Sequence, residues 1–187
     1  MKIKLKKYKK VKSTNDIALK LIKKNNSCPM LVTSEQQTNG RGRVGKKWIS
    51  EKGNLFISLF FKLDQKKINF KQFAVLNAFL LKKVISKNIS KKINIKWPND
   101  ILFNKKKFCG ILQELIKFNN FDYLIVGIGL NTNVAPENKS FKSTCLKNIL
   151  KKKVNNQKIM KDILIAYEKL LSEKNKFSFV DLKRKYK

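Results

Sequence analysis

Apolar positions recur along this chain with two periods. Residues 3–11 alternate weakly and predict a strand. Ser13-Thr14-Asn15-Asp16 then reads as a helix start, with hydroxyl and amide groups able to cap free N–H groups. Ile17, Leu21 and Ile22 continue an apolar stripe at helical spacing to about Lys24. A loop follows at 25–29 and a short strand at 30–34. Residues 35–53 make a long polar, glycine-rich connection, and such lengths inside a domain usually signal function or disorder. The run 54–63 (NLFISLFFKL) predicts a buried strand by its apolar and aromatic content. Residues 70–87 give the clearest helix, with Phe73, Leu76, Leu80 and Val84 on one face. A short strand at 93–97 is closed by Pro98. Residues 101–103 and 108–118 read as a hairpin turning at Asn104-Lys105-Lys106, and 121–130 as a strand reached through Asn119-Asn120. A loop at 134–140 leads to helices at 142–150, 157–173 and 179–186. Strands in the middle with helices on either side predict an α+β plan, a mixed sheet with helices packed on it and no linker dividing it.

Composition changes this picture in two ways. Among 187 residues, 44 are Lys or Arg, 12 are Asp or Glu, and none is His, for a formal charge of +32. Without His, His-based acid–base catalysis, Ser-His triads and His-containing zinc sites are excluded. The charge invites a nucleic-acid reading. Yet only three basic residues are Arg (41, 43 and 184), and the Lys are spread from Lys2 to Lys187, as drift in composition would leave them. Against that background the rare residues are informative. Two of the three Arg sit together in Gly40-Arg41-Gly42-Arg43, and four of the seven Gly fall in 40–53. Both Trp, 48 and 97, lie beside such places. The three Cys (28, 109 and 145) are far apart, with no redox or metal spacing, which points to a reducing, cytoplasmic setting. No apolar run reaches membrane-spanning length, and no secretory signal is visible at the start.

Three segments carry chemistry. In Gln36-Gln37-Thr38-Asn39-Gly40-Arg41-Gly42-Arg43-Val44-Gly45-Lys46-Lys47-Trp48, alternating Gly and Arg lets backbone N–H groups approach an anion while guanidinium forks bind it. Trp48 offers a flat face for a ring. A flexible RNA-binding loop would read the same way. In Lys96-Trp97-Pro98-Asn99-Asp100-Ile101, Pro98 sets a turn that projects Asn99 and Asp100, with Lys107 across the hairpin and Cys109-Gly110-Ile111 after it. Asn-Asp could equally be turn chemistry alone. In Val126-Gly127-Ile128-Gly129-Leu130-Asn131, Gly inside a strand implies a close approach to the backbone. The third glycine of a dinucleotide fingerprint is missing.

In this order the segments resemble the catalytic domain of biotin–protein ligases. Ser13-Thr14-Asn15, Gly-Arg-Gly-Arg-x-Gly with Trp at 40–48, Lys-Trp-Pro-Asn-Asp at 96–100, Lys107 before small-Gly-Ile-Leu, and Gly-x-Gly-x-Asn at 127–131 match the family pattern, with weaker similarity at 143–146. The resemblance implies a mixed, largely antiparallel sheet of the class II aminoacyl-tRNA synthetase and biotin ligase type. It implies an ATP-dependent ligase that makes biotinyl-5′-AMP and passes biotin to a lysine of a biotin carboxyl-carrier domain, as in acetyl-CoA carboxylase. ATP and biotin would be substrates, with Mg²⁺. Arg43 and Lys107 would be catalytic, binding the carboxylate and α-phosphate. Ser13, Thr14, Asn15 and Gln37 would take the biotin head. Gly40, Arg41 and Gly42 would close over it, and Gly110, Gly127 and Gly129 would leave it room. Trp48, Asn99, Asp100 and Asn131 would serve ATP, with Asp100 near Mg²⁺ and no other metal ligand. The loop at 38–47 is expected to order when biotin binds.

The resemblance also sets expectations about what the chain lacks. Ser13 comes too early for the helix-turn-helix that some relatives carry, so 1–187 reads as a catalytic domain alone that binds no specific DNA and no membrane. The small β domain that follows in bacterial relatives is expected to be missing too. A homodimer through a sheet edge is left open. A lipoate–protein ligase and a Lys-rich RNA-binding protein are the alternatives.

Overall fold

Leu55–Lys62 forms β3, buried at every position but its last, and both faces of the molecule are built from it. The computed structural model describes residues 1–25, 29–87, 89, 92–137 and 141–187. Cys28 and parts of the loops expected at 25–29 and 134–140 lie outside them. In chain order the elements are β1 (Lys4–Val11), α1 (Thr14–Lys23), β2 (Met30–Gln37), β3, α2 (Phe70–Ser86), β4 (Asn94–Lys96), β5 (Asp100–Phe103), β6 (Lys106–Phe118), β7 (Phe121–Leu130), α3 (Leu146–Leu150), α4 (Asn156–Glu173) and α5 (Phe179–Tyr186). The seven strands form one sheet in the order β1-β2-β3-β7-β6-β5-β4. β1 runs parallel to β2, and the other neighbours are antiparallel. The α+β plan and the mixed, largely antiparallel sheet are therefore as the sequence implies.

Side chains alternate across a strand, so β3 feeds two cores. Leu55, Ile57, Leu59 and Phe61 join Leu124, Val126 and Ile128 of β7 beneath α2, α4 and α5. On the opposite face Phe60 meets Tyr123 and Ile125, with Met30 and Val32 of β2, beneath Ala18, Leu21 and Ile22 of α1. Two tight turns fix the long hairpins. Asn104 and Lys105, then Asn119 and Asn120, all take positive φ, as hairpin turns matched to strand twist require.

Three local expectations change. β2 continues three residues past Ser34, to Gln37, because Lys10 and Val11 of β1 still pair with it there. The Ser13 hydroxyl does not cap α1; the N–H of Thr14 instead donates to Gln37 Oε1 at 2.8 Å. Residues 142–144, expected in a helix, are extended against β6. Lys107 N donates to Lys142 O and Thr144 N to Lys107 O, both at 2.9 Å, so α3 begins only at Leu146. Those strand-edge groups of Lys107 need partners that no helical segment could supply. Among the described residues, no helix is long and apolar enough to cross a membrane.

Candidate active site

The sheet face that carries α1 changes character along its length. Beneath the helix it is filled by Phe60, Tyr123 and Ile125. Two and four residues further on, the same face presents Ser58, Gly127 and Gly129, with Gly110 of β6 paired to Gly129. Over this strip lies a cavity of ≈ 750 Å³, roofed by the loop that joins β2 to β3. Its wall includes Ser13, Thr14, Asn15, Gln37, Arg41, Gly42, Arg43, Trp48, Asn99, Asp100, Lys107, Gly110, Gly127, Gly129 and Asn131. Of the site residues drawn from sequence, Gly40 alone is absent from that wall. It is packed inside the loop, where a methyl group would lie 2.6 Å from Trp48 O and 2.7 Å from Ser50 Oγ.

At one end the wall is uncharged and hydrogen-bonded. Ser13, Thr14 and Asn15 are buried at the start of α1. Gln37 Oε1 accepts from the Thr14 hydroxyl at 3.1 Å, while Gln37 Nε2 donates to Ser50 Oγ at 3.0 Å. The Ser58 hydroxyl faces both Thr14 Oγ1, at 2.7 Å, and Asn15 Oδ1. Asn15 Nδ2 donates to Glu114 Oε2 at 2.6 Å. At the other end the wall is cationic. Lys107 Nζ is 2.8 Å from Asp100 Oδ1 and 5.3 Å from the Trp48 ring centre. Arg43 Nη1 donates to Asn99 Oδ1 at 3.0 Å, and Asn99 Nδ2 donates to Ile111 O. Lys46, Lys47, Lys96, Lys105 and Lys142 add further positive charge. Asn131 is held through its N–H to Phe108 O and its Nδ2 to Thr144 O, and its buried Oδ1 has no protein partner. The indole Nε1 of Trp48 is buried in the same state.

Several of these residues are engaged within the protein itself. The space left by Gly110 and Gly129 is taken by Trp48; a methyl group there would lie 2.6 Å from Cζ3 and 2.3 Å from Cε2 of the indole. The space left by Gly127 is taken by the Asn15 carboxamide, at 2.3 Å. The Arg41 guanidinium forks onto Glu114 (2.9 and 2.8 Å) and reaches Asp16 at 3.0 Å. Trp97 stays outside the cavity, edge-on to Phe79 of α2 at 5.4 Å, and so anchors the turn that carries Asn99. Sequence reasoning missed Asp16, Ser58 and Glu114. One signal was available: carboxylates are few here, 12 against 44 basic residues, and Glu114 continues the alternation Gly110, Leu112, Glu114 along β6.

Burial pushes the Cys109 thiol up to about 12, against a smaller opposing pull from Lys107, and its side chain lies in the main core. Among the described residues, no three His, Cys, Asp or Glu side chains come together as a metal site. Asp100, the carboxylate of the wall, is held by Lys107. The arrangement suits an anionic substrate that needs to be neutralised and aligned.

Known proteins carry the same plan. The Bacillus subtilis bifunctional ligase/repressor BirA is 33% identical over 168 residues, covering 85% of this chain and 51% of that protein. The Paracoccus denitrificans biotin–[acetyl-CoA-carboxylase] ligase is 33% identical over 128 residues, 67% of this chain and 53% of that one. The chain thus spans about half the length of these curated relatives. A biotin protein ligase from Aquifex aeolicus, solved in complex with biotin and ATP, superposes with a TM-score of 0.83 at 31% identity, over 98% of this chain and 76% of that one. The pattern of the biotin/lipoate A/B protein ligase family matches residues 8–131. That stretch runs from β1 through the Gly-x-Gly strand to Asn131 and takes in every motif that shapes the cavity, so the chain belongs to the biotin/lipoate A/B protein ligase family.

Proposed function

We propose that the chain activates biotin with ATP and transfers it to a lysine of a biotin carboxyl-carrier domain, such as that of acetyl-CoA carboxylase. The observation that carries this reading is one cavity with a neutral, hydrogen-bonding end at Thr14 and Gln37 and a cationic end at Arg43 and Lys107. Biotin has a polar uncharged head and a carboxylate at opposite ends. In the first step a carboxylate oxygen bonds to the α-phosphorus of ATP, the bond to the β-phosphate oxygen breaks, and pyrophosphate leaves with the electron pair. The carboxylate is already ionised at pH 7, so no general base is required, which suits a chain without His. Arg43 and Lys107 would neutralise the two approaching anions, and Lys107 must exchange Asp100 for phosphate to do so. Mg²⁺ would arrive on the triphosphate, with Asp100 and Asn99 bordering it.

Trp48 would stack on adenine, and the unpaired Oδ1 of Asn131 would accept from its amino group. Ser13, Thr14 and Gln37 would bind the ureido head. Asn15 and the three strand glycines would act behind the ligand, by seating Asn15 and Trp48 against the sheet. In the second step the acceptor amine attacks the mixed anhydride and AMP leaves. The test is pyrophosphate release that depends on biotin and Mg-ATP, with and without a carrier domain, and with lipoate in parallel. Release with biotin and labelled carrier is the expected result. Turnover with lipoate in preference to biotin, or none from folded protein, refutes the proposal.

A further inference from the structure

Glu114 stands where the roof of the cavity meets its neutral end. Its carboxylate accepts from both Arg41 Nη atoms and from Asn15 Nδ2. Asn15 is joined through Ser58 to Thr14, Thr14 to Gln37, and Gln37 to Ser50. Arg41 and Ser50 lie on opposite limbs of the same loop, and the limbs are tied to each other by the bond from Trp48 N to Gly40 O. Both limbs therefore hang from one connected set of side chains on α1, β2, β3 and β6. The Arg41–Glu114 contact is the bidentate, charge-assisted member of that set, and such contacts are the stronger kind. The exposed contact of Arg43 with Asn99 is a single bond to a neutral group.

Proton bookkeeping links this set to ligand binding. Ser58 has one hydroxyl proton and faces two acceptors, Thr14 Oγ1 and Asn15 Oδ1. When the proton goes to Asn15, the proton between the two hydroxyls must be that of Thr14, and Gln37 Oε1 keeps only the Thr14 N–H. When it goes to Thr14, the Thr14 proton is free for Gln37. A polar head bound at Thr14 would favour one arrangement over the other, and Asn15, which meets both Ser58 and Glu114, connects that end of the site to Glu114.

We infer that Glu114 is a positioning residue that holds the loop 40–50 over the cavity through Arg41, and through Asn15 serves the biotin end of the site rather than the ATP end. The second part rests on the function proposed above; the first does not. Besides Arg41 the loop contains tryptic sites at Arg43, Lys46 and Lys47, which every variant below keeps. Limited trypsin digestion, with loop cleavage scored by mass spectrometry against cleavage elsewhere in the same molecules, reads its closure without any ligand. In Glu114→Gln, loop cleavage should accelerate about tenfold, as befits loss of a charge-assisted contact. Arg41→Gln, which also gives up the contact with Asp16, should accelerate it at least as much, and the double variant should be no worse than Arg41→Gln alone. The KM for biotin should rise about tenfold, while the KM for ATP stays within about twofold. Unchanged loop cleavage in both folded single variants overturns the role of Glu114 in closure. Equal rises in both KM values overturn its assignment to the biotin end. If the wild-type protein releases no pyrophosphate, the functional proposal falls, and the trypsin comparison still decides whether Glu114 holds the loop.

Discussion

At Gly129 the reason for a glycine is a distance: any side chain would lie 2.3 Å from Trp48 Cε2. Gly129→Ala is expected to push the indole out of its seat. That would appear as a changed tryptophan emission and a raised KM for ATP, with a near-normal far-UV spectrum because β7 keeps its pairing. At Arg43 the argument is charge. If the guanidinium stabilises the adenylation transition state as an oxyanion donor does, Arg43→Ala should cost about 2–4 kcal/mol in that step. A partial reaction reading pyrophosphate release in single turnover checks it. Cys109 gives a pH prediction. Its folded thiol is raised from 9.0 to about 12 by burial. Between those values the unfolded chain loses a proton that the folded chain keeps, so the stability due to this group is full below pH 9 and drains away towards pH 12. The stability difference between wild type and Cys109→Ala, measured by urea unfolding at pH 8, 9 and 10, should therefore move against wild type as pH rises.

Between elements, one buried polar chain replaces what could have been apolar packing. Tyr167 of α4 donates to Asn77 Oδ1 of α2, Asn77 Nδ2 donates to Gln113 of β6, and Gln113 Nε2 returns to Phe70 O at the start of α2. Tyr167 and Asn77 are fully buried, and burial raises the Tyr167 phenol, keeping it a donor. Asn77→Ala should leave the Tyr167 hydroxyl and the Gln113 carbonyl unpaired, costing about 1–3 kcal/mol. Urea midpoints would show it, and Asn77→Ala with Tyr167→Phe should recover part of the loss. Helix ends follow the same economy. α2 and α5 carry reciprocal capping boxes, Asn69 with Gln72 and Ser178 with Asp181, and these bonds hold the Asp181 carboxyl below its ordinary range. α1 is capped from β2 by Gln37, which binds the helix start to the cavity wall.

Across the whole molecule, charge and shape divide the work. The formal +32 makes copies repel one another, and the edge strand β1 carries Lys at 4, 6, 7, 9 and 10, which disfavours strand addition there. Much of the remaining plan was legible from the chain alone. Continuous apolar runs and period-3.6 stripes are local, and they mark α1, β3, α2, β7 and α4 because what an element buries is written in its own residues. Turn chemistry is local too, and Asn104 and Asn119 sit where the hairpins turn. The rarity of Arg, Gly and Trp pointed to Arg41, Gly42, Arg43, Trp48, Gly110, Gly127 and Gly129, which wall the cavity, but equally to Gly40 and Trp97, which do not. What a rare residue touches is a different matter. Glu114 is 73 residues from Arg41 and 99 from Asn15, and no pattern within either segment names the other. The strand glycines could be read as room, but only the packed sheet decides that Trp48 and Asn15 fill it. Residues 142–144 have sequence compatible with a helix and are extended because the edge of β6 at Lys107 needs their backbone. Local propensity set which elements form and which residues are special. Hydrogen-bonding groups that must be satisfied across long sequence separations, and volumes that two side chains cannot share, set the partners.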